Sequence, residues 1–152
     1  MKTLIGQMIG AAGMDSRVYE YVESDRRSWR GAVFIVLIAS IAAAFGSGLR
    51  TVPDLVGATV AGILTWLIWV ALPHVIGTRL LPGNVTHANL GEVLRATGFS
   101  ASPGVLRILG LIPGIGLPIF LAITVWMLLT FVVAIRQALD YTTSRRAVAV
   151  CL

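Results

Sequence analysis

The stretch LPIFLAITVWMLLTFVVAI, residues 117–135, contains nineteen residues and no charged side chain. A helix of about 20 apolar residues, rising about 1.5 Å per residue, is long enough to cross the roughly 30 Å hydrocarbon core of a bilayer. Two further stretches, residues 31–49 and residues 55–76, also lack Asp, Glu, Lys and Arg. The chain is therefore predicted to be an all-α polytopic transmembrane helical bundle.

The overall composition agrees with this class. Of the 152 residues, 57% are hydrophobic and 12% are charged, whereas a soluble domain carries about 25% charged residues. The net charge of +5 is expected from basic cytoplasmic loops, and no nucleic-acid partner is predicted because no basic stripe with interleaved aromatic residues is present. The one cysteine, Cys151, excludes an intrachain disulfide and a cysteine metal site.

The first 30 residues are predicted to form a separate amphipathic segment on the cytoplasmic face, and residues 31–152 the transmembrane bundle. Apolar side chains recur at helical spacing on both sides of Asp15 and Ser16, either of which can cap a second helix. The pattern predicts one or two interfacial helices. A signal peptide is disfavoured because Gln7 interrupts the apolar run and no A-x-A site follows.

The predicted spans carry interface and packing signals. Trp29 and Arg30 precede the first span and Arg136 ends the last one, which places all three at the membrane interface. Small residues at i, i+4 spacing let helix backbones approach closely. The residues predicted to pack in this way are Ala39, Ala43, Gly48, Gly57, Ala58 and Gly62.

Residues 99–112 form a doubtful third span, because 14 residues cover only about 21 Å as an α-helix. They form either a short tilted span or a re-entrant hairpin that ends at the break of residues 113–116. Asn89 is a candidate cap for a short helix before them. If all four segments cross and the N-terminus is cytoplasmic, ten of the twelve basic residues lie inside, which the positive-inside rule favours.

Arg107 lies within this third segment. A charge in the membrane is costly and usually has a partner. We interpret Arg107 as a snorkelling residue whose guanidinium reaches the interface of a thin segment. The alternative is a buried site for an anionic group or a coupling charge.

Short motifs in the second half of the chain carry a family resemblance. GFSASPG at 98–104, IPGIG at 112–116, VW at 125–126 and AIRQAL at 134–139 make the chain resemble the bacterial branch of the Yip family, the Ypt-interacting-protein-like membrane proteins. The resemblance covers roughly residues 30–152. It implies a bacterial inner-membrane protein and one more span, of which residues 147–152 would be a truncated start. Eukaryotic members of this family act in vesicle traffic with Rab-type GTPases, which a bacterial chain would not serve.

Catalytic and cofactor signals are weak. His74 and His87 share no helix face, and no metal motif or paired carboxylates occur, so neither a metal site nor an enzyme is predicted. His74 is the weak candidate for a haem or pigment ligand, and lipid is the molecule that we expect the chain to bind. We predict a structural or interaction role, as a scaffold or accessory subunit that binds other transmembrane helices or as a bilayer-shaping protein. The alternative is a small permease with Arg107 and the 113–116 break near its site.

Overall fold

A computed structural model describes residues 3–77, 89–139 and 147–148, and these are folded entirely as helices and connecting turns. The helices, in chain order, are α1 Leu4–Ala12, α2 Ser16–Ser24, α3 Ser28–Gly46, α4 Val52–Val75, α5 Leu90–Ser100, a 3-10 helix Ser102–Leu111, and α6 Gly116–Ala138. The predicted all-α class is confirmed for the described residues. Of the predicted start of a further span, residues 149–152 lie outside the described part of the chain.

Three of these helices, α3, α4 and α6, are long and apolar enough to cross a membrane. Helix α3 begins before the predicted apolar run, so Trp29 and Arg30 occupy its first turn and are exposed. Helix α4 begins where Pro53 and Asp54 predict a helix start. There the Thr51 hydroxyl accepts a hydrogen bond from the Asp54 backbone N–H at 3.3 Å, and this bond satisfies one of the free donors of the first turn.

The doubtful third segment, residues 99–112, comprises the end of α5 and the 3-10 helix. Helix α5 begins at the predicted cap, where the Asn89 side chain accepts from the Gly91 N–H at 3.1 Å and Glu92 accepts from the Asn89 N–H at 2.9 Å. After Ala101 the chain tightens into the 3-10 helix, with Pro103 in its first turn. Proline has no N–H and is tolerated at a helix start. It therefore suits this junction between the two helix types.

This α5 and 3-10 pair runs parallel to α3 along most of its length. Contacts advance together along both: Gly98 lies against Ala32, Gly104 against Ala39, and the Arg107 carbonyl against Gly46. At about 1.5 Å per residue for α5 and about 2.0 Å for the 3-10 helix, the pair is roughly 36 Å long. That length matches a roughly 30 Å hydrocarbon core. The four-crossing topology stays a prediction, and this parallel course is the feature that supports it.

The two N-terminal helices pack onto the bundle with one face of α2 buried. Val18, Tyr19 and Val22 are buried in the core together with Ala11 of α1. Asp15 caps α2, as predicted, by accepting from the Arg17 N–H at 3.1 Å. The Arg17 side chain, hydrogen-bonded to the same carboxylate, holds the pKa of Asp15 below its usual value, and burial raises the pKa of the Tyr19 phenol.

Long-range hydrogen bonds attach this N-terminal pair to α5 and α6. The Arg95 guanidinium of α5 donates to the carbonyls of Val22 and Glu23, the former at 3.2 Å, and so satisfies carbonyls at the end of α2. The Trp126 Nε1 of α6 donates to the Ala12 carbonyl at 2.9 Å, at the end of α1. The N-terminal helices are therefore part of the bundle and not a detached surface segment.

Candidate functional site

The main cavity of the chain lies between α3, α4, the 3-10 helix and α6, and has a volume of about 610 Å³. The side chains that line it are mostly apolar, and those of α3 are smaller than those of α4 and α6. The residues that line it include Ser40, Ala43, Ser47, Ala58, Gly62, Thr65, Trp66, Trp69, Thr97, Ser100, Arg107, Thr124, Val125, Leu128 and Phe131.

The cavity is elongated along α4, from Ala58 near the α3–α4 turn to Trp69. At about 1.5 Å per residue these positions are roughly 16 Å apart along the helix axis. At the far end the rings of Trp69 and Phe131 meet edge to face, with centroids 6.1 Å apart. This contact joins α4 to α6 there. The exposed side chains Thr65, Val125 and Leu128 form the rim of the cavity between α4 and α6.

Arg107 is the one charged residue among the described residues that line the cavity. Its Nη2 donates to the Thr124 hydroxyl of α6 at 2.9 Å, and its guanidinium carbon lies 4.7 Å from the centre of the Phe120 ring. The side chain is half-buried. The guanidinium is thus held between the 3-10 helix and α6 by a hydroxyl and an aromatic face.

Two buried donors of the cavity wall have no acceptor among the residues that the structure describes. These are Nε of Arg107 and Nε1 of Trp66. Unpaired buried donors cost free energy, so native proteins normally satisfy them with protein groups, water or a ligand. Both donors are covered by protein atoms, so the cavity offers an entering molecule the positive charge of the Arg107 guanidinium.

The hydroxyl groups of the wall are mostly used within their own helices. Ser47 donates to the Ala43 carbonyl, Thr97 to the Val93 carbonyl and Thr124 to the Phe120 carbonyl. Hydroxyls inside apolar helices commonly bond back to their own helix in this way. Thr130 of α6, which does not line the cavity, also reaches out of its helix, since its hydroxyl lies 2.8 Å from the Ser100 carbonyl of α5. Because these hydroxyls donate to backbone carbonyls, they add no free hydrogen-bond donors to the cavity.

The predicted packing residues divide into three groups. Ala39 is buried against the 3-10 helix, and Gly62 lies against Ser40, so these two lie between helices of the chain. Ala43 and Ala58 are half-buried and line the cavity.

Two predicted packing positions have no close neighbour. Gly48 follows the end of α3 and has φ +87°, a backbone conformation that glycine adopts readily and that suits the turn there, and no atom of the chain lies within 4 Å of its Cβ position. Gly57 lies on the exposed side of α4 with nothing near its Cβ position.

The remaining predicted residues lie away from the cavity. His74 is half-buried in the last turn of α4 and does not line it. Arg136 is exposed in the last turn of α6, at the same end of the bundle as Trp29 and Arg30. The 113–116 break makes an exposed turn outside the cavity. No group of three or more His, Cys, Asp and Glu side chains able to hold a metal occurs in the described ranges.

Sequence reasoning missed the glycines where backbones meet. A Cβ on Gly46 would lie 1.9 Å from the Arg107 carbonyl oxygen, and one on Gly110 would lie 2.7 Å from the Gly46 carbonyl oxygen. These two residues let the 3-10 helix lie directly on the end of α3, and so they position Arg107. Each has a small residue four positions away, Ala42 before Gly46 and Gly114 after Gly110, so the i, i+4 spacing could have marked both glycines.

The family model of the Yip1 domain matches residues 15–152, nearly the whole bundle. The chain belongs to the Yip1 domain family. The resemblance seen in its motifs is thereby confirmed, and the apolar helices of this Yip1-domain chain make it a small integral membrane protein. No curated protein matches the chain, and no solved structure does.

Proposed function

We propose that this Yip1-domain chain is a scaffold or accessory subunit that binds another transmembrane helix on the outward face of α4. The proposal includes the location inferred from the charge pattern, a bacterial inner membrane with the N-terminus in the cytoplasm. Its role is non-catalytic in this proposal. The N-terminal helices support a scaffold more than a free bilayer wedge, because α2 is buried against the bundle.

Helix α4 is the least covered of the three long apolar helices. Only 11% of its most apolar 18-residue window is buried inside the chain, against 33% for α3. Its buried contacts face α3 and the cavity through Ala58, Gly62 and Trp66. The opposite side is exposed over the full length of the helix, so α4 has the largest area available to a partner.

The observation that carries the proposal is a pair of small residues on that exposed side. Gly57 and Ala61 are exposed and four residues apart, so they lie on one face. Larger exposed side chains, Val60, Leu64 and Ile68, flank them. A shallow groove of small residues between larger ones lets a second helix approach closely, and dispersion contacts then stabilise the pair in lipid.

The test is purification of the tagged full-length chain from its native membrane in mild detergent. We expect a fixed set of membrane partners with the native chain. We expect at least a several-fold loss of them when Gly57→Leu and Ala61→Leu are combined, because the added side chains fill the groove. Val56→Leu is the matched control, since Val56 is exposed on α4 but points about 100° away from Gly57. A native chain that purifies alone and monodisperse would contradict the proposal.

Transport is the second candidate, because Arg107 lines a cavity between helices that are able to span the membrane. An intramembrane charge that faces a cavity is a usual mark of a solute path. If the chain is a permease for anions, Arg107→Ala in proteoliposomes should lower anionic solute flux about tenfold or more. Flux that Arg107→Ala leaves unchanged, or no flux by the native chain above empty vesicles, would end this candidate.

A further inference from the structure

The charge of Arg107 has no acidic counterpart at the cavity. None of the described residues that line the cavity is Asp or Glu. The guanidinium contacts only the Thr124 hydroxyl and the Phe120 ring, and its Nε has no acceptor in the described part of the chain. A charge inside an apolar bundle is normally neutralised by a partner. An anionic group in the cavity would supply that partner.

The rest of the cavity selects an apolar molecule. From Ala58 to Trp69 the cavity extends roughly 16 Å along α4, about half of the roughly 30 Å hydrocarbon thickness. Its volume of about 610 Å³ lies in the range of small-molecule sites. The length therefore suits one acyl chain of one leaflet, with the charged end at Arg107.

The position of the cavity also decides how a molecule enters it. Its rim residues Thr65, Val125 and Leu128 are exposed on α4 and α6, two helices that can span the membrane. A gap between two spanning helices faces the lipid and not the aqueous phase. Lipid in the adjoining leaflet thus reaches the cavity sideways.

From these observations we infer that the cavity is a binding site for an anionic phospholipid, whose phosphate pairs with Arg107 and whose acyl chain extends towards Trp69. The planar fork of arginine suits phosphate oxygens, and such charge-assisted hydrogen bonds are the stronger ones. The lipid comes from the leaflet on the side of the α3–α4 turn, where Arg107 lies beside the end of α3. This inference is independent of the partner proposed for α4.

The experiment is native mass spectrometry of the full-length chain in detergent, titrated with phosphatidylglycerol or with phosphatidylcholine of the same acyl chains. We expect one phosphatidylglycerol per chain, bound about tenfold more tightly than phosphatidylcholine, a difference of about 1.4 kcal/mol. Arg107→Gln should remove the preference and Arg107→Lys should keep part of it. The matched control is Arg50→Gln, because the exposed Arg50 lies at the same end of the bundle and does not line the cavity.

A second pair of variants tests the place of the acyl chain. Ala58→Phe fills the cavity and should lower phosphatidylglycerol binding, whereas Ala71→Phe adds the same ring on the exposed side of α4 and should not. Size-exclusion chromatography identifies variants that aggregate, and Arg107→Gln then decides. Equal binding of both lipids, loss of the preference in Arg50→Gln but not in Arg107→Gln, or full displacement of the lipid by inorganic phosphate would overturn the inference.

Discussion

Replacing Gly46 with alanine should destabilise the bundle by about 3 kcal/mol or more, since overpacking typically costs about 1–3 kcal/mol and occasionally more. The new Cβ would lie 1.9 Å from the Arg107 carbonyl oxygen and 2.8 Å from its carbonyl carbon. Both atoms belong to the backbone, so no rotamer change can relieve the contact. The 3-10 helix must move away from α3, and Arg107 moves with it.

Thermal unfolding in detergent, followed by circular dichroism and by loss of the monodisperse peak, measures this effect. The matched control is Gly57→Ala, the same change in an exposed glycine of α4 with nothing within 4 Å of its Cβ position. That control should be neutral or stabilising by up to about 1 kcal/mol, because alanine favours helix over glycine. Equal stability of Gly46→Ala and Gly57→Ala would show that the close approach of α3 and the 3-10 helix is wrong.

Replacing Tyr19 with alanine should release the N-terminal helices from the bundle. Tyr19 is among the largest fully buried side chains of the described residues. Its hydroxyl donates to the Ala11 carbonyl at 2.9 Å and lies 3.4 Å from the Thr130 carbonyl, so it connects α1, α2 and α6. Truncation of a buried aromatic residue costs about 3–5 kcal/mol. Most of that loss should appear as local detachment, because α3 and α6 do not depend on α2 for their own hydrogen bonds.

Tryptic cleavage at Arg26 and Arg27, between α2 and α3, reports the detachment. Its rate should rise at least tenfold in Tyr19→Ala. Tyr21→Ala is the control on the same helix, because Tyr21 is 48% exposed and makes no core contact of this kind. Tyr19→Phe separates the two contributions: it keeps the packing and should cost only about 0.5–1.5 kcal/mol for the lost hydrogen bond. Unchanged cleavage in Tyr19→Ala would refute the docking of α2.

The local features of the fold were predictable because their causes are local. Charge-free stretches predicted α3, α4 and α6, and the caps at Asp15 and Asn89 follow from side-chain oxygens next to free backbone N–H groups. The third segment was predicted only in part. Residues 99–112 were expected to form a short tilted span or a re-entrant hairpin, whereas the chain joins α5 directly to a 3-10 helix and gains length through the larger rise per residue.

The contacts of the candidate site, in contrast, could not be predicted from local sequence. Arg107 stood out in the sequence as a charge in an apolar segment, but its contacts come from Thr124 and Phe120 of α6. Gly57 and Gly62 looked alike in the pattern, and only the packing shows that one faces outward and the other meets Ser40. Helical spacing says which residues share a face, but it does not say what that face meets.

The sequence alone determined the membrane class, the three long helices, the caps of α2 and α5 and the family motifs, because hydropathy, capping and motif spacing act between near neighbours in the chain. The tertiary structure decided the cavity, the direction of Arg107, the docking of α2 and the meeting of Gly46 with Gly110. Each of these joins residues from different helices. Such contacts depend on how whole helices pack in three dimensions, and that packing is set by the shape of all the surfaces together.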